Sequence, residues 1–133
     1  MKKVMITGVL VIMFLAGCVV PAMAGDFVLM ENQAATGAGT AVPINEYIEN
    51  WTCQVTITGG PSAVTVRIEG NLGGLLYDPT GMAVQTLSAG QLAAGIATFL
   101  IPNGYMANLR AYVVTLTGGT DPDVSVTCGG VPR

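Results

Sequence analysis

The residues of this sequence that could do chemistry are few, and most of them are carboxylates. Histidine is absent from the whole chain, and the only lysines are Lys2 and Lys3. The commonest general bases and nucleophile activators are therefore missing, and no catalytic triad can be assembled. We predict that the protein is not an enzyme.

Two pairs of acidic residues are close together in sequence, Glu46 with Glu49 and Asp121 with Asp123. Glycosidases use two carboxylates that flank a sugar. Neither pair has the apolar setting that would raise one pKa, and both fall in predicted turns or loops, so solvated surface acids are the simpler interpretation. Residues 120–123 could offer oxygen ligands to calcium, but they lack the ligands of an EF-hand loop and are more typical of a turn.

Basic and aromatic side chains could bind a ligand without catalysis. Tyr112 lies on the polar face of its predicted strand beside Arg110, and Arg67 lies on the polar face of another strand. If these strands are neighbours, the three side chains form an exposed patch, and Trp51 could add a surface on which a sugar stacks. Aromatic residues of β-domains more often pack in the core or across strands. The aromatic residues that could take part are Tyr47, Trp51, Tyr77, Tyr105 and Tyr112.

The first 24 residues resemble a secretory signal peptide. Two lysines precede an apolar run over residues 4–20, which ends at Pro21-Ala22-Met23-Ala24, and we expect cleavage after Ala24. The run is too short for a typical membrane-spanning helix of about 20 residues. Leu15-Ala16-Gly17-Cys18 also resembles the lipobox of bacterial lipoproteins, in which Cys18 would be lipidated. Both interpretations predict export to the periplasm, the cell surface or the medium.

Removal of residues 1–24 leaves three arginines against eight acidic residues, a net charge of −5. Nucleic-acid binding depends on clustered Lys and Arg, so we expect no nucleic-acid partner. Contact with a membrane is expected only if Cys18 is lipidated.

Cys53 and Cys128 each extend an alternating apolar face, in Cys53-Val55-Ile57 and Val124-Val126-Cys128. Both sulfurs should point into a core, and a disulfide is the default for two cysteines of an exported domain. A redox-active pair is the alternative, but such pairs usually form a Cys-x-x-Cys motif. Zinc and iron sites are excluded in practice because histidine is absent and both cysteines are used. We predict a structural disulfide, no metal and no cofactor.

Alternation of apolar and polar residues predicts strands along the chain from Trp51 onward. Residues 51–57 and 64–68 look like the two strands of a hairpin, and 75–77 looks like a short strand. A helical turn is possible at 91–94. Seven or eight short strands favour one antiparallel β-sandwich, jelly-roll or immunoglobulin-like, although a barrel stays open. We divide the chain into a signal peptide (1–24), a flexible or strand-forming segment (25–45) and the sandwich core (46–133).

The order of segments resembles that of small β-sandwich proteins encoded among bacteriophage structural genes. Residues 64–74 are similar to the EGS-x-DG turn of those proteins, and Leu109-Arg110-Ala111-Tyr112-Val113 to their LRARV-type strand. Residues 35–42 and Ser125-Val126-Thr127 are also similar. The resemblance implies a virion or tail module without catalysis. The export signal, the cysteine pair and Gly73, where the family has an acidic residue, depart from it.

These observations favour a non-catalytic structural or assembly module of the cell surface or of an extracellular particle. Its partners would be other copies of itself or other envelope proteins. Residues 25–45 could add a strand to the sheet of a neighbouring molecule. The alternative is a carbohydrate- or surface-binding module that uses exposed aromatics, with a glycan as the partner.

Overall fold

A computed structural model describes residues 25–130, which form two antiparallel sheets packed against each other. The predicted all-β sandwich with one disulfide is therefore confirmed, whereas the signal peptide and Cys18 lie outside the described residues. The elements are β1 (Gly25–Gln33), β2 (Gly37–Ala38), β3 (Val42–Ile48), β4 (Thr52–Thr58), β5 (Ala63–Asn71), β6 (Ala83–Thr86), α1 (Ala89–Ala94), β7 (Ile96–Leu100), β8 (Gly104–Thr117) and β9 (Asp123–Gly130).

The first sheet has the strand order β1-β9-β4-β7, and the second has the order β2-β8-β5-β6. Strand β3 also pairs with β8. The 14 residues of β8 allow both arrangements, because β3 pairs with its first half while β2 pairs with Tyr112 and Val113 farther along. The second sheet is thus organised around β8.

The core lies between the sheets and follows from the two-residue period of each strand. On β4 the side chains of Cys53, Val55 and Ile57 are at most 7% exposed, while Thr52 and Gln54, which alternate with them, are exposed. The same alternation buries one face of β5, β8 and β9. The buried side chains of those strands are Val64, Val66, Ile68, Leu109, Ala111, Val113, Val124, Val126 and Cys128.

The predicted hairpin of residues 51–57 with 64–68 is wrong. Strand β4 belongs to the first sheet and β5 to the second, and the chain crosses between them through Gly59 and Gly60, which have φ of 75° and 63°. Alternation shows that one face of each strand is buried. It does not show whether the next strand lies beside it or across the core.

The predicted short strand at 75–77 is also wrong. These residues belong to an irregular loop between β5 and β6, in which Leu75 is 98% and Leu76 is 88% exposed. The helical turn extends over α1, where the Ser88 hydroxyl accepts from the Gln91 backbone and the Gln91 side chain accepts from the Ser88 backbone, a capping box. Local capping chemistry thus fixes the one helix of the described residues.

Cys53 and Cys128 lie directly opposite each other on β4 and β9, with Cα atoms 4.0 Å apart. Both side chains are fully buried, and their sulfurs form the predicted disulfide. Among residues 25–130, no helix is long and apolar enough to cross a membrane.

Candidate binding surface

The pairing of β5 with β8 brings the predicted surface residues together on one sheet. Arg67 lies opposite Tyr112, and Glu69 lies opposite Arg110. All four alternate with core residues such as Val66 and therefore belong to the outer face of the second sheet. The condition set by the sequence, that the strands of Arg67, Arg110 and Tyr112 be neighbours, is met.

Glu69 changes the chemistry of this surface. Its side chain is buried, and Arg67 donates to Glu69 Oε1 from Nε at 2.8 Å and from Nη2 at 2.5 Å. Arg110 donates from Nε to Glu69 Oε2 at 2.6 Å. Charge-assisted hydrogen bonds of this kind are the stronger ones in proteins. Both guanidinium groups are therefore bound to one carboxylate, which the sequence prediction missed although Glu69 shares a strand face with Arg67.

Each of the two arginines also contacts one tyrosine ring. The Arg67 Cζ atom lies 4.8 Å from the centre of the Tyr112 ring, and the Arg110 Cζ atom lies 3.9 Å from the centre of the Tyr77 ring. Both distances suit a cation–π interaction. The side chains of Arg67 and Arg110 retain 19% and 28% exposure. We call Arg67, Glu69, Tyr77, Arg110 and Tyr112 the arginine cluster.

Trp51 is not part of that surface. It is 2% exposed and stacks on Phe27, with ring centres 5.1 Å apart and planes at 10°. The expectation that Trp51 is exposed is therefore wrong. Trp51 precedes Cys53 by two positions, so the alternation that assigned Cys53 to the core also applies to Trp51. This signal was present in the sequence.

The β5–β6 loop, residues 72–82, is held at its start by amide side chains. Asn71 donates from Nδ2 to the carbonyl oxygen of Gly74 at 2.8 Å, and Asn71 Oδ1 accepts from the backbone N–H of Gly73 at 3.1 Å. Asn108 on β8 donates from Nδ2 to the same Oδ1 at 2.9 Å. These hydrogen bonds fix the first residues of the loop to β5 and β8.

The second part of the loop is held by Tyr77, whose ring lies on Arg110, and by a turn at Asp78. Asp78 Oδ1 accepts from the Thr80 hydroxyl at 2.6 Å and from the Thr80 N–H at 2.8 Å. These two bonds, the hydroxyl first, hold the pKa of Asp78 below its ordinary value, and the charge of Arg67 lowers it further. The backbone N–H of Met82 donates to Ile68 at 2.7 Å, which returns the chain to the sheet.

Large apolar side chains lie exposed at the end of the sandwich where this loop is found. Tyr47 and Tyr105 are paired across β3 and β8, next to the start of the loop, and Leu100 ends β7 where β4 begins. We call these residues the apolar end. Its members and their exposures are Tyr47 (56%), Leu72 (75%), Leu75 (98%), Leu76 (88%), Leu100 (69%) and Tyr105 (48%).

The two acidic pairs singled out in the sequence, Glu46 with Glu49 and Asp121 with Asp123, lie outside the arginine cluster. The sequence places both pairs in turns or loops, but Glu46 lies in β3 and Asp123 begins β9. Asp121 is exposed in the β8–β9 connection, at the end of the sandwich opposite the leucines. Within residues 25–130, no group of three or more His, Cys, Asp or Glu residues is arranged to hold a metal ion.

No protein-family model matches the chain, and no curated protein matches it. The crystal structure of the SPBc2 prophage-derived protein YomS is similar, with a TM-score of 0.44 and 14% sequence identity over 79% of this chain and 89% of that chain. At this score and identity the likeness assigns neither a family nor a function. The resemblance to phage sandwich proteins stays a prediction.

Proposed function

We propose that this protein is a non-catalytic structural or assembly module that is exported to the cell surface or to an extracellular particle. The observation that carries the proposal is the apolar end. Several large apolar side chains exposed at one end of a domain are typical of a surface that contacts a partner. The buried disulfide supports an oxidising compartment, where such bonds persist.

The arginine cluster supports a structural role for the charged residues. Arg67 and Arg110 share the carboxylate of Glu69, and Arg110 contacts the ring of Tyr77 in the β5–β6 loop, so the cluster connects that loop to the sheet. A ligand anion at this site would have to displace a carboxylate that both arginines already bind. With Trp51 buried, carbohydrate binding through Arg67, Arg110, Tyr112 and Trp51 gains no support from the geometry.

Strand addition by residues 25–45 also loses support. Strand β1 pairs with β9 of its own chain from Gly25 to Gln33, and β3 pairs with β8. Donation of this segment to a neighbour would first require it to leave its own sheets. The apolar end needs no such rearrangement and is the better candidate for contact.

The test is the location and mass of the native protein. Cells that make the full chain are fractionated, and the protein from the envelope and from the medium is sized by light scattering after size exclusion. We expect the protein in the envelope fraction or in a species several times the mass of one chain. A free monomer recovered only from the cytosol or the medium would overturn the proposal.

A further inference from the structure

Both ends of the described chain lie at the apolar end. Gly25 at the start of β1 pairs with Gly130 at the close of β9, and Gly129 lies opposite Thr52, which in turn lies opposite Leu100. Gly25 therefore lies at the same end of the first sheet as Leu100, with Gly25 on β1 at one edge and Leu100 on β7 at the other. The chain that links this domain to its N-terminal segment departs from the same end that exposes the leucines.

The sequence before Gly25 is the apolar segment that carries Cys18. Six residues, 19–24, separate Cys18 from Gly25. A fully extended chain of that length spans at most about 20 Å. If Cys18 is lipidated, Gly25 must lie within that distance of the bilayer, with the end of the first sheet that contains it facing the lipid.

The shape of the apolar end favours a fluid surface as its occupant. Leu75 and Leu76 project from a loop that contains Gly73 and Gly74, and almost their whole side chains are exposed. If two copies of the protein met through this loop, the protruding leucines would hold the surfaces around them apart and leave gaps. A lipid bilayer is fluid and can deform around the leucines. Tyr47 and Tyr105 beside the loop suit the boundary between water and lipid, where tyrosine is enriched.

The charges favour a contact driven by apolar burial. In residues 25–130 the basic side chains are Arg67 and Arg110, and both bind Glu69. Asp26 and Asp78 are exposed near this end. Anionic lipids attract basic segments, and residues 25–130 place no such segment at this end. A neutral lipid surface is therefore the better partner.

We propose that the apolar end docks on a lipid bilayer, with Leu72, Leu75 and Leu76 inserted among the lipids and the tyrosine pair at the interface. The inference rests on the proposed envelope location and deepens it. The domain would then bind the membrane through its own side chains, whether or not Cys18 carries a lipid.

Flotation with phosphatidylcholine vesicles tests this contact. Each protein is the full chain exported by its own leader, with Cys18→Ser so that no acyl chain contributes, and mass spectrometry confirms that the leader has been removed. The test variant is Leu75→Thr with Leu76→Thr. The control is Ile96→Thr with Val114→Thr, two partly exposed apolar residues away from the apolar end. Melting curves confirm that all proteins are folded.

We expect the parent protein to float and the leucine variant to lose partitioning by about tenfold per leucine, ~1.4 kcal/mol each. The control should stay within about twofold, because Ile96 and Val114 lie away from the apolar end and do not insert into the lipid. Phosphatidylglycerol should not strengthen binding, and salt should not weaken it.

Equal flotation of the parent and the leucine variant, or no flotation at all, overturns the inference. A dimer of the parent that the leucine substitutions dissociate would make a second copy the occupant and would also overturn it. Failure of flotation leaves the proposed function standing if the native protein is still found in a large envelope species. Conversely, a native monomer found only in the cytosol would refute the proposed function even if vesicles bind.

Discussion

The two ends of the sandwich are built in different ways. At the end opposite the leucines, the β4–β5 and β8–β9 connections are short, and backbone bonds join them: Thr120 donates to Gly59 at 2.8 Å and Ser62 donates to Thr117 at 2.8 Å. At the apolar end, a longer loop is held by the side chains of Asn71, Tyr77 and Asp78. The backbone bonds between these two short connections close the sandwich at the first end. That closure does not require exposed leucines at the second end, and the proposed contact with a partner would account for them.

Loss of the disulfide should lower the free energy of unfolding the most, because it joins β4 and β9, two strands that are far apart in sequence. Cys53→Ala with Cys128→Ala should lower the free energy of unfolding by about 4 kcal/mol, from the loop entropy of residues 75 apart in sequence. Chemical denaturation measures this. Each single substitution should cost a similar amount, and unchanged unfolding in both would contradict a structural bridge.

Removal of the shared carboxylate should weaken the support of the apolar end. Glu69→Ala leaves Arg67 and Arg110 close together without their counter-charge, and breaking a buried pair costs about 3 kcal/mol. Glu69→Gln keeps a hydrogen-bonding group and should cost less. Hydrogen exchange should rise first in residues 72–82. If exchange rose instead only in residues 118–122, the cluster would not hold the loop.

A glycine at the other end gives a local comparison. Gly119 has φ of 80°, and a Cβ there would overlap backbone atoms of Gly59, Gly60 and Pro61. Gly119→Ala should therefore cost about 2–3 kcal/mol, combining backbone strain with a clash. Gly60→Ala is the matched control, because Gly60 also has positive φ but no atom within 4 Å of its would-be Cβ. Equal costs measured by thermal unfolding would show that packing of this end adds nothing.

The smallest effect is expected at Asp78. Its folded-state pKa is lowered, so the ionised carboxylate contributes stability that is complete above the ordinary aspartate pKa and is lost as the pH falls through the lowered pKa. Asp78→Asn should melt slightly below the parent at neutral pH and converge with it in acid. Melting curves across that range measure the difference. A constant gap at every pH would exclude the Asp78–Thr80 bonds as its cause.

The alternation of apolar and polar residues predicts the features that a single strand determines, such as which of its faces is buried. Alternation identified the buried faces of β4, β5, β8 and β9, and with them the disulfide. It could not decide that β4 and β5 lie in different sheets, because sheet membership depends on long-range pairing. Strand parity also places Trp51 on the buried face with Cys53, and Glu69 on the same face as Arg67, but it does not show that Glu69 is buried. The exposure of Leu75 and Leu76 could not be read, since an apolar pair in a short segment is equally typical of a buried strand.

Footprinting in the native setting tests most directly whether the apolar end is a contact surface. The protein is exposed to hydroxyl radicals in intact envelopes and again after purification, and side-chain oxidation is compared by mass spectrometry. The account predicts that Tyr47, Leu75, Leu76 and Tyr105 are protected in the envelope, while Ile96 and Val114, which are exposed away from the apolar end, react equally in both samples. Equal reactivity of the leucines and tyrosines in both samples would contradict it.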